Sequence, residues 1–177
     1  MGRAVTRPAE AAHPETGSSL VEVVVALLIL LTLAAGLFSM AGIALAQSEN
    51  YGHLAARTSE YAQDKMEQLL VLSYGDTTSD TRVFPAAVAG GTGLTNGGSI
   101  DPNAPAAGYV DYLDARGNLL VVAGTTPPAN WFYQRLWQVV PVSGSLKEVR
   151  VRAIVARAIG RTQRPAATLV TLKSFPF

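Results

Sequence analysis

Hydrophobic and polar positions change character several times along the chain, and the strongest contrast lies near the N-terminus. Residues 1–17 are polar and contain two prolines, whereas residues 23–46 form a run of 24 residues without one charge. At about 1.5 Å of rise per residue, a helix of that length spans roughly 36 Å, enough to cross a hydrocarbon core of about 30 Å. The run therefore predicts a transmembrane helix. It exceeds the apolar region of about 7–15 residues in a secretory signal peptide, although Ala44 and Ala46 form an A-x-A pair that leaves cleavage at that end open as an alternative.

Residues 47–75 switch to an amphipathic pattern that contains no turn signal before Gly75. Apolar and small side chains recur at spacings of three and four, as on one face of a helix. These positions are Tyr51, Leu54, Ala55, Thr58, Ala62, Met66, Leu69 and Leu70. The helix is therefore predicted to continue to Tyr74 and to stop at Gly75, and its apolar stripe needs a surface to pack against.

The second half of the chain has the pattern of a loop followed by strands. Residues 76–107 are rich in Gly, Thr, Asn, Ala and Pro without helical or strand periodicity, which predicts a long surface loop. Strand patterns then follow in five segments: 109–113, 119–123, 131–142, 146–157 and 167–173. The first two flank a predicted hairpin turn at residues 114–118, and the last three predict a meander. Within the fourth, apolar residues alternate with Arg150 and Arg152, so its apolar face is expected to meet the helix stripe.

These patterns predict an α+β fold in which a long N-terminal helix packs on a small antiparallel β-sheet. The predicted organisation is a leader (1–17), a transmembrane helix (18–46), an amphipathic helix (47–75) and a loop with a sheet (76–177), the last two forming one globular head. A length of 177 residues suits one small domain plus one membrane segment. The sequence has no cysteine, which excludes disulfides and thiolate metal sites.

Charge is balanced overall but unevenly distributed. The chain has 14 basic and 13 acidic residues, yet residues 49–114 contain nine acids and three bases, and residues 135–177 contain eight bases and one acid. The folded head is therefore expected to be electrically polarised. Arg150, Arg152, Arg157, Arg161 and Arg164 predict a basic sheet edge. Arg150 and Arg152 are candidate contacts for DNA or another anionic partner, and the alternative is that outward-facing arginines simply keep a strand soluble.

Residues suited to catalysis are scarce, and the sequence predicts neither an enzyme nor a cofactor. The histidines are His13, in the leader, and His53, on the amphipathic helix, and neither completes a Ser-His-Asp arrangement. The glycine-rich stretch in the loop lacks the G-x-x-x-x-G-K-[ST] pattern of a phosphate-binding loop. Asp111 and Asp114 fit either turn chemistry, which is favoured, or a calcium site.

Glu22 is unusual, because it is a carboxylate at the start of an apolar run with no basic residue nearby. An acid in or near a bilayer is costly and indicates a functional site. Just before it, the polar leader ends at Gly17, and the apolar pattern begins at Ser18.

The segment from Gly17 to Glu22, followed by VVVALLIL, resembles the processing motif of type IV prepilins. In that family a membrane peptidase cuts after the glycine and methylates the new terminal amine, and the glutamate is retained for assembly. The resemblance implies that Gly17 precedes the cut, that Ser18 is the new N-terminus and that Glu22 is the assembly carboxylate. Ser18 stands where the family usually has phenylalanine, which puts methylation in question.

The second half resembles the V-type minor pilins and I-type pseudopilins more faintly, through QDKMEQLL, RLWQVVPV, LKEVRVRAIVA and TLVTLKS. The resemblance implies a filament-core helix with a globular head, in a subunit that initiates or caps a type IV pilus or a type II secretion pseudopilus. The implied partners are the prepilin peptidase, other pilins or pseudopilins, an inner-membrane assembly platform and the lipid bilayer. The implied location is the bacterial inner membrane, with a cytoplasmic N-terminus, and then the filament. A basic-faced subunit of a DNA-uptake or adhesive pilus, and an ordinary anchored domain, remain the alternatives.

Overall fold

The computed structural model describes residues 19–122, 124–156 and 164–175. It contains one long N-terminal helix and an antiparallel sheet, so the predicted α+β class is confirmed. The elements in chain order are α1 (Leu20–Val71), β1 (Gly97–Gly98), β2 (Val110–Leu113), β3 (Leu119–Leu120), β4 (Tyr133–Ser143), β5 (Leu146–Val155) and β6 (Ala166–Ser174). The chain divides into two compact units, residues 1–44 and residues 45–177, which are described separately below.

All strands of the sheet pair antiparallel, in the order β3-β2-β4-β5-β6, and β1 pairs with β4. The predicted hairpin forms β2 and β3, in which Tyr112 pairs with Leu120. The predicted meander forms β4, β5 and β6, and Val151 pairs with Trp137 on one side and with Leu169 on the other. The predicted strands are thus present, but the one predicted at residues 119–123 comprises only Leu119–Leu120. In β5 the predicted alternation places one face in the core.

The main core of residues 45–177 lies between α1 and one face of the sheet. Its fully buried members on the sheet are Trp137, Val149, Val151 and Ala153, and those on the helix are Ala62 and Leu69. The predicted contact between the apolar face of β5 and the helix stripe is thus confirmed. A smaller cluster on the opposite face of the sheet contains Val110, Tyr112, Leu136 and Ile154.

The helix stripe differs in detail from the predicted one. The buried helix residues are Thr58, Tyr61, Ala62, Lys65, Met66 and Leu69. Tyr51 and Leu70, which were predicted to be in the stripe, are 38% and 39% exposed. A lysine in this stripe was not predicted, and it is central to the site described below.

The helix ends at Val71, three residues before the predicted end at Tyr74. Carbonyl groups in the last helical turn and beyond it find partners outside the helix. The Lys173 ammonium donates to the Leu70 carbonyl, and the Lys147 ammonium donates to the Tyr74 carbonyl over 2.9 Å. Because these side chains satisfy the terminal carbonyls, the backbone does not need another helical turn to do so.

The prediction of a surface loop at residues 76–107 is wrong in part. Leu94 is fully buried in the main core, and the base of the loop is closed by the Leu94 amide, which donates to the Asp76 carbonyl over 2.7 Å. Gly98 pairs with Gln138 of β4 at a φ of +87°, and a Cβ there would lie 2.3 Å from the Trp137 carbonyl oxygen. The glycines of this loop thus allow its backbone to approach β4 closely, as well as to form turns.

Candidate functional site

The N-terminal candidate site begins where α1 begins. Ser19 precedes the helix, and its carbonyl accepts the first helical hydrogen bond, from the Val23 amide over 3.2 Å. Glu22 lies in the first turn and is exposed. The spacing Ser19-x-x-Glu22 is that of a capping box, and an acid here is also favoured by the helix dipole. Within the described residues, however, neither side chain makes a hydrogen bond or an ion pair. Gly17 and Ser18 lie outside the described residues.

The apolar part of α1 that follows is long and apolar enough to cross a membrane. Its large side chains, such as Leu31 and Phe38, are 70% and 78% exposed, so they have no protein partner within residues 19–44. The Thr32 hydroxyl lies 2.8 Å from the Ile29 carbonyl oxygen, which satisfies the polar group inside the apolar run. A surface of this kind is stable in lipid or against other helices, which is consistent with a single-pass membrane protein.

The second notable arrangement, in residues 45–177, is a cluster of four charged side chains where α1 meets the sheet. Asp111 of β2 and Arg135 of β4 are register partners, and the guanidinium donates to both carboxylate oxygens over 2.8 and 2.9 Å. The Lys65 ammonium of α1 lies 2.6 Å from the Asp111 carboxylate, and Arg135 also donates to Asp64 over 2.6 Å. Lys65, Asp111 and Arg135 are 0%, 2% and 3% exposed. The cluster therefore joins the helix to two strands through buried ion pairs.

The Lys65 ammonium makes two further contacts. It donates to the Thr81 carbonyl and lies 4.6 Å from the centre of the Trp137 ring. The first contact ties the loop after α1 to the cluster, and the second is a cation–π interaction. The Lys65 ammonium thus contacts three parts of the fold, namely β2, β4 and the loop after α1.

Burial and the neighbouring opposite charges shift the pKa values of Lys65 and Asp111 in opposite directions. Burial lowers the pKa of Lys65 to about 8, although Asp111 works in the other direction, so the amine stays protonated at neutral pH. Burial alone would raise the pKa of Asp111, but the charges of Lys65 and Arg135 outweigh it and hold that pKa below its ordinary value. The Asp111 carboxylate therefore stabilises the folded protein at pH values above its ordinary pKa. This stabilisation is lost as the pH falls through the lowered pKa that Asp111 has in the folded protein.

Lys65 makes the stability of the head depend on pH above neutrality. Its pKa is about 8 in the folded protein against an ordinary value of 10.5, so the unfolded chain binds more protons between these values and stability rises with pH there. Between about pH 7.5 and about pH 9.5, Lys65 should add about 2 kcal/mol to the free energy of unfolding. Denaturant unfolding of the full chain in detergent at both pH values checks this. The gain should be absent from Lys65→Met, and the same pH dependence in both proteins would contradict the assignment.

Much of the predicted basic charge is used inside the head. Arg135 is buried in the cluster, Lys147 donates to the Tyr74 and Leu94 carbonyls, and Lys173 donates to the Leu70 carbonyl. Arg150 is paired with Glu148. Of these basic residues, Arg135 is neutralised by acids distant in sequence, Asp111 and Asp64, whereas Lys147 and Lys173 bond to carbonyl groups, which carry no charge.

The two candidate anion-binding arginines lie on the sheet face opposite α1, and the prediction that they form a sheet edge is wrong. Arg150 and Arg152 are on β5, which lies between β4 and β6. Arg152 donates to the Ile100 carbonyl over 3.4 Å, and its Nε is buried without a hydrogen-bond partner among the described residues. Arg164 is exposed, whereas Arg157 and Arg161 lie outside the described residues.

Asp111 and Asp114, for which the sequence allows turn or calcium chemistry, have different roles in the structure. Asp114 accepts hydrogen bonds from the Arg116 and Asn118 amides over 2.8 and 2.9 Å, so its predicted turn role is correct. Asp111 belongs to the ion cluster, so a turn role for it is wrong. Among residues 19–122, 124–156 and 164–175, no group of three or more His, Asp or Glu side chains is placed to hold a metal ion. His53 is exposed on α1, 3.7 Å from Glu49, and His13 lies outside the described residues.

The ion cluster is the part of the site that was missed from the sequence. One signal was available, since Lys65 follows Tyr61 by four residues and precedes Leu69 by four, which places a charge within an apolar stripe. Asp111 and Arg135 carry no such signal until the pairing of β2 with β4 is known.

Comparison of the chain with models of protein families, with curated proteins and with solved structures finds no match.

Proposed function

We propose that this chain is a minor pilin or pseudopilin, a membrane-anchored structural subunit that helps to initiate or cap a type IV pilus or a type II secretion pseudopilus, and that it is not an enzyme. The observation that carries the proposal is Glu22, an exposed carboxylate without a partner among the described residues, in the first turn of an apolar helix that follows the Gly17–Ser18 junction. A helix that only anchored the protein in a membrane would not need a carboxylate at this position.

Cleavage after Gly17 would supply the missing partner. It would leave the terminal ammonium of Ser18 beside hydrocarbon, where an isolated charge is costly. A Glu22 carboxylate on a neighbouring subunit can pair with that ammonium, and attraction between them grows as the local dielectric constant falls. An unpaired charge would be energetically costly on either subunit. The ion pair would therefore favour one axial register between neighbouring helices.

The same helix accounts for the other proposed partners. The prepilin peptidase would act at Gly17, other pilins or pseudopilins would cover the exposed apolar side chains of α1, and the inner-membrane assembly platform would add the subunit to the filament. The minor, initiating role is supported by Ser18, where major pilins usually have phenylalanine, and by the resemblance of the second half to V- and I-type subunits.

The first expected result is that the mature chain starts at Ser18. Intact-mass spectrometry of the protein produced together with a prepilin peptidase should show loss of residues 1–17, because the polar leader ends at a glycine directly before the helix. Gly17→Val should keep the leader, since a branched side chain at that position blocks access to the cut. Retention of Met1 in assembled material, or an N-terminus after Ala46, would refute the proposal.

A further inference from the structure

The two ends of the strand order differ in how their edges are protected. Proteins commonly protect a sheet edge with a short strand, a proline, a bulge or an outward-pointing charge. At one end lies β3, which has two residues. At the other end lies β6, which has nine residues, contains no proline and pairs with β5 without a register shift. The edge at β6 is therefore long and regular.

The backbone of β6 turns every second residue away from the sheet. The Val155 amide donates to the Pro165 carbonyl at one end of the β5–β6 pairing, and the Phe175 amide donates to the Ser145 carbonyl at the other. Because hydrogen bonding alternates along an antiparallel pair, the odd-numbered residues of β6 bond to β5, and the N–H and C=O groups of the even-numbered residues face outward. No backbone hydrogen bond to these outward groups is present in the described part of the chain. A row of donors and acceptors at this spacing is complementary to the backbone of another extended strand.

The side chains of the outward-facing residues add an apolar surface to the edge. Val170 and Leu172 are 57% and 58% exposed. They lie on the sheet face opposite α1, because the alternate residues Ala167 and Leu169 pack against the main core. The charge of Lys173 does not guard the edge, since its ammonium is bonded to a carbonyl of α1. An added strand could therefore make side-chain contacts with β6 as well as backbone hydrogen bonds.

The charge near this edge is basic. Residues 149–177 contain no acid, and the preceding acid, Glu148 on β5, is paired with Arg150. Arg164 lies two residues before β6 and is exposed, and it forms no ion pair with any other described residue. Two copies of β6 would bring the same basic charge together, whereas a strand with an acidic residue at that end would be attracted. Charge complementarity thus favours a different, acidic partner over a second copy.

We propose that β6 binds an extended segment of a partner protein, which adds to the sheet as a further antiparallel strand. The segment places β-branched or other apolar side chains beside Val170 and Leu172, and an acidic side chain beside Arg164. Backbone hydrogen bonds provide the affinity, and the side-chain contacts select the segment. The inference goes beyond the proposed filament role, since it depends on β5 and β6 and not on Glu22 or on cleavage of the leader.

The test uses a fluorescent nine-residue peptide of alternating threonine and valine with glutamate at its C-terminal end, which lies nearest Arg164 in an antiparallel pair. Its anisotropy is measured with the full chain in zwitterionic nanodiscs, and nanodiscs without protein are the blank. A control peptide has the same side chains but carries N-methyl groups on two backbone nitrogens of each edge. The unmodified peptide should bind at least tenfold more tightly, because N-methylation removes donors and blocks the approach of a strand.

Variants of the protein locate the binding edge. Val170→Pro should weaken binding at least tenfold, because proline removes an outward N–H, and it is tolerated where that N–H faces solvent on an edge strand. Val170→Thr is the matched control, which keeps the N–H and should bind within about twofold of the unaltered chain. Arg164→Gln should weaken binding about threefold, whereas Arg116→Gln, which replaces an exposed arginine of the β2–β3 turn, should leave it unchanged.

Three outcomes would overturn the proposal. The first is equal affinity for the two peptides, a comparison that uses the unaltered chain and therefore decides the question whether or not Val170→Pro is less stable. The second is full binding by Val170→Pro. The third is self-association of the chain in detergent that Val170→Pro abolishes, without binding of the peptide, because a second copy would then occupy the edge.

Discussion

Replacing Asp111 by alanine is expected to lower the free energy of unfolding by about 3–5 kcal/mol, the cost of breaking a buried ion pair from one side. Asp111 lies between Lys65 and Arg135 and is 2% exposed. Without it, two buried cations would face each other, and only Arg135 would keep a carboxylate, that of Asp64. Denaturant unfolding of the full chain in detergent, followed by tryptophan fluorescence, to which the buried Trp137 contributes, measures the loss.

Two comparisons make that result specific to the cluster. Asp114→Ala removes a carboxylate from the same hairpin, but that side chain is partly exposed and serves a turn, so its loss should be much smaller. Adding Lys65→Met to Asp111→Ala should recover part of the stability, because it removes one of the unpaired cations. If Asp111→Ala cost no more than Asp114→Ala, the cluster would not be a main link between helix and sheet.

The second large effect is expected from Glu22→Ala, which should reduce recovery of the chain in sheared filaments at least tenfold while leaving membrane insertion intact. Removing the carboxylate makes the apolar helix easier to insert, but it leaves the ammonium of a neighbouring subunit unpaired. Quantitative mass spectrometry of membrane and filament fractions measures both quantities in the same cells.

Two further variants separate the ion pair from other roles of Glu22. Glu22→Gln keeps a side chain that can cap the helix but removes the charge, so it should be impaired like Glu22→Ala. Glu49→Ala removes another exposed acid of α1 and should assemble normally, since Glu49 faces His53 of its own chain. Normal recovery of Glu22→Gln would assign the residue to helix capping and would count against the proposed assembly contact.

Local patterns of the sequence predicted the elements of this fold well. The uncharged run predicted a helix able to cross a membrane, because length and composition alone decide that property. Alternation in residues 149–155 predicted which face of β5 is buried, because side chains of a strand point to opposite faces. The end of α1 was predicted less accurately, because the Leu70 carbonyl of its last turn is satisfied by Lys173, which lies far along the chain.

The sequence by itself thus determined the α+β class, the apolar helix and the position of Glu22 at its start, since each depends on neighbouring residues. Only the tertiary structure decided which charges meet. Asp111 and Arg135 are 24 residues apart and become partners through the register of β2 and β4, and Lys65 joins them because α1 packs across those strands. Hydrophobic periodicity specifies which face of an element is buried, but it does not specify which element covers that face. The partner of a buried charge depends on the covering element.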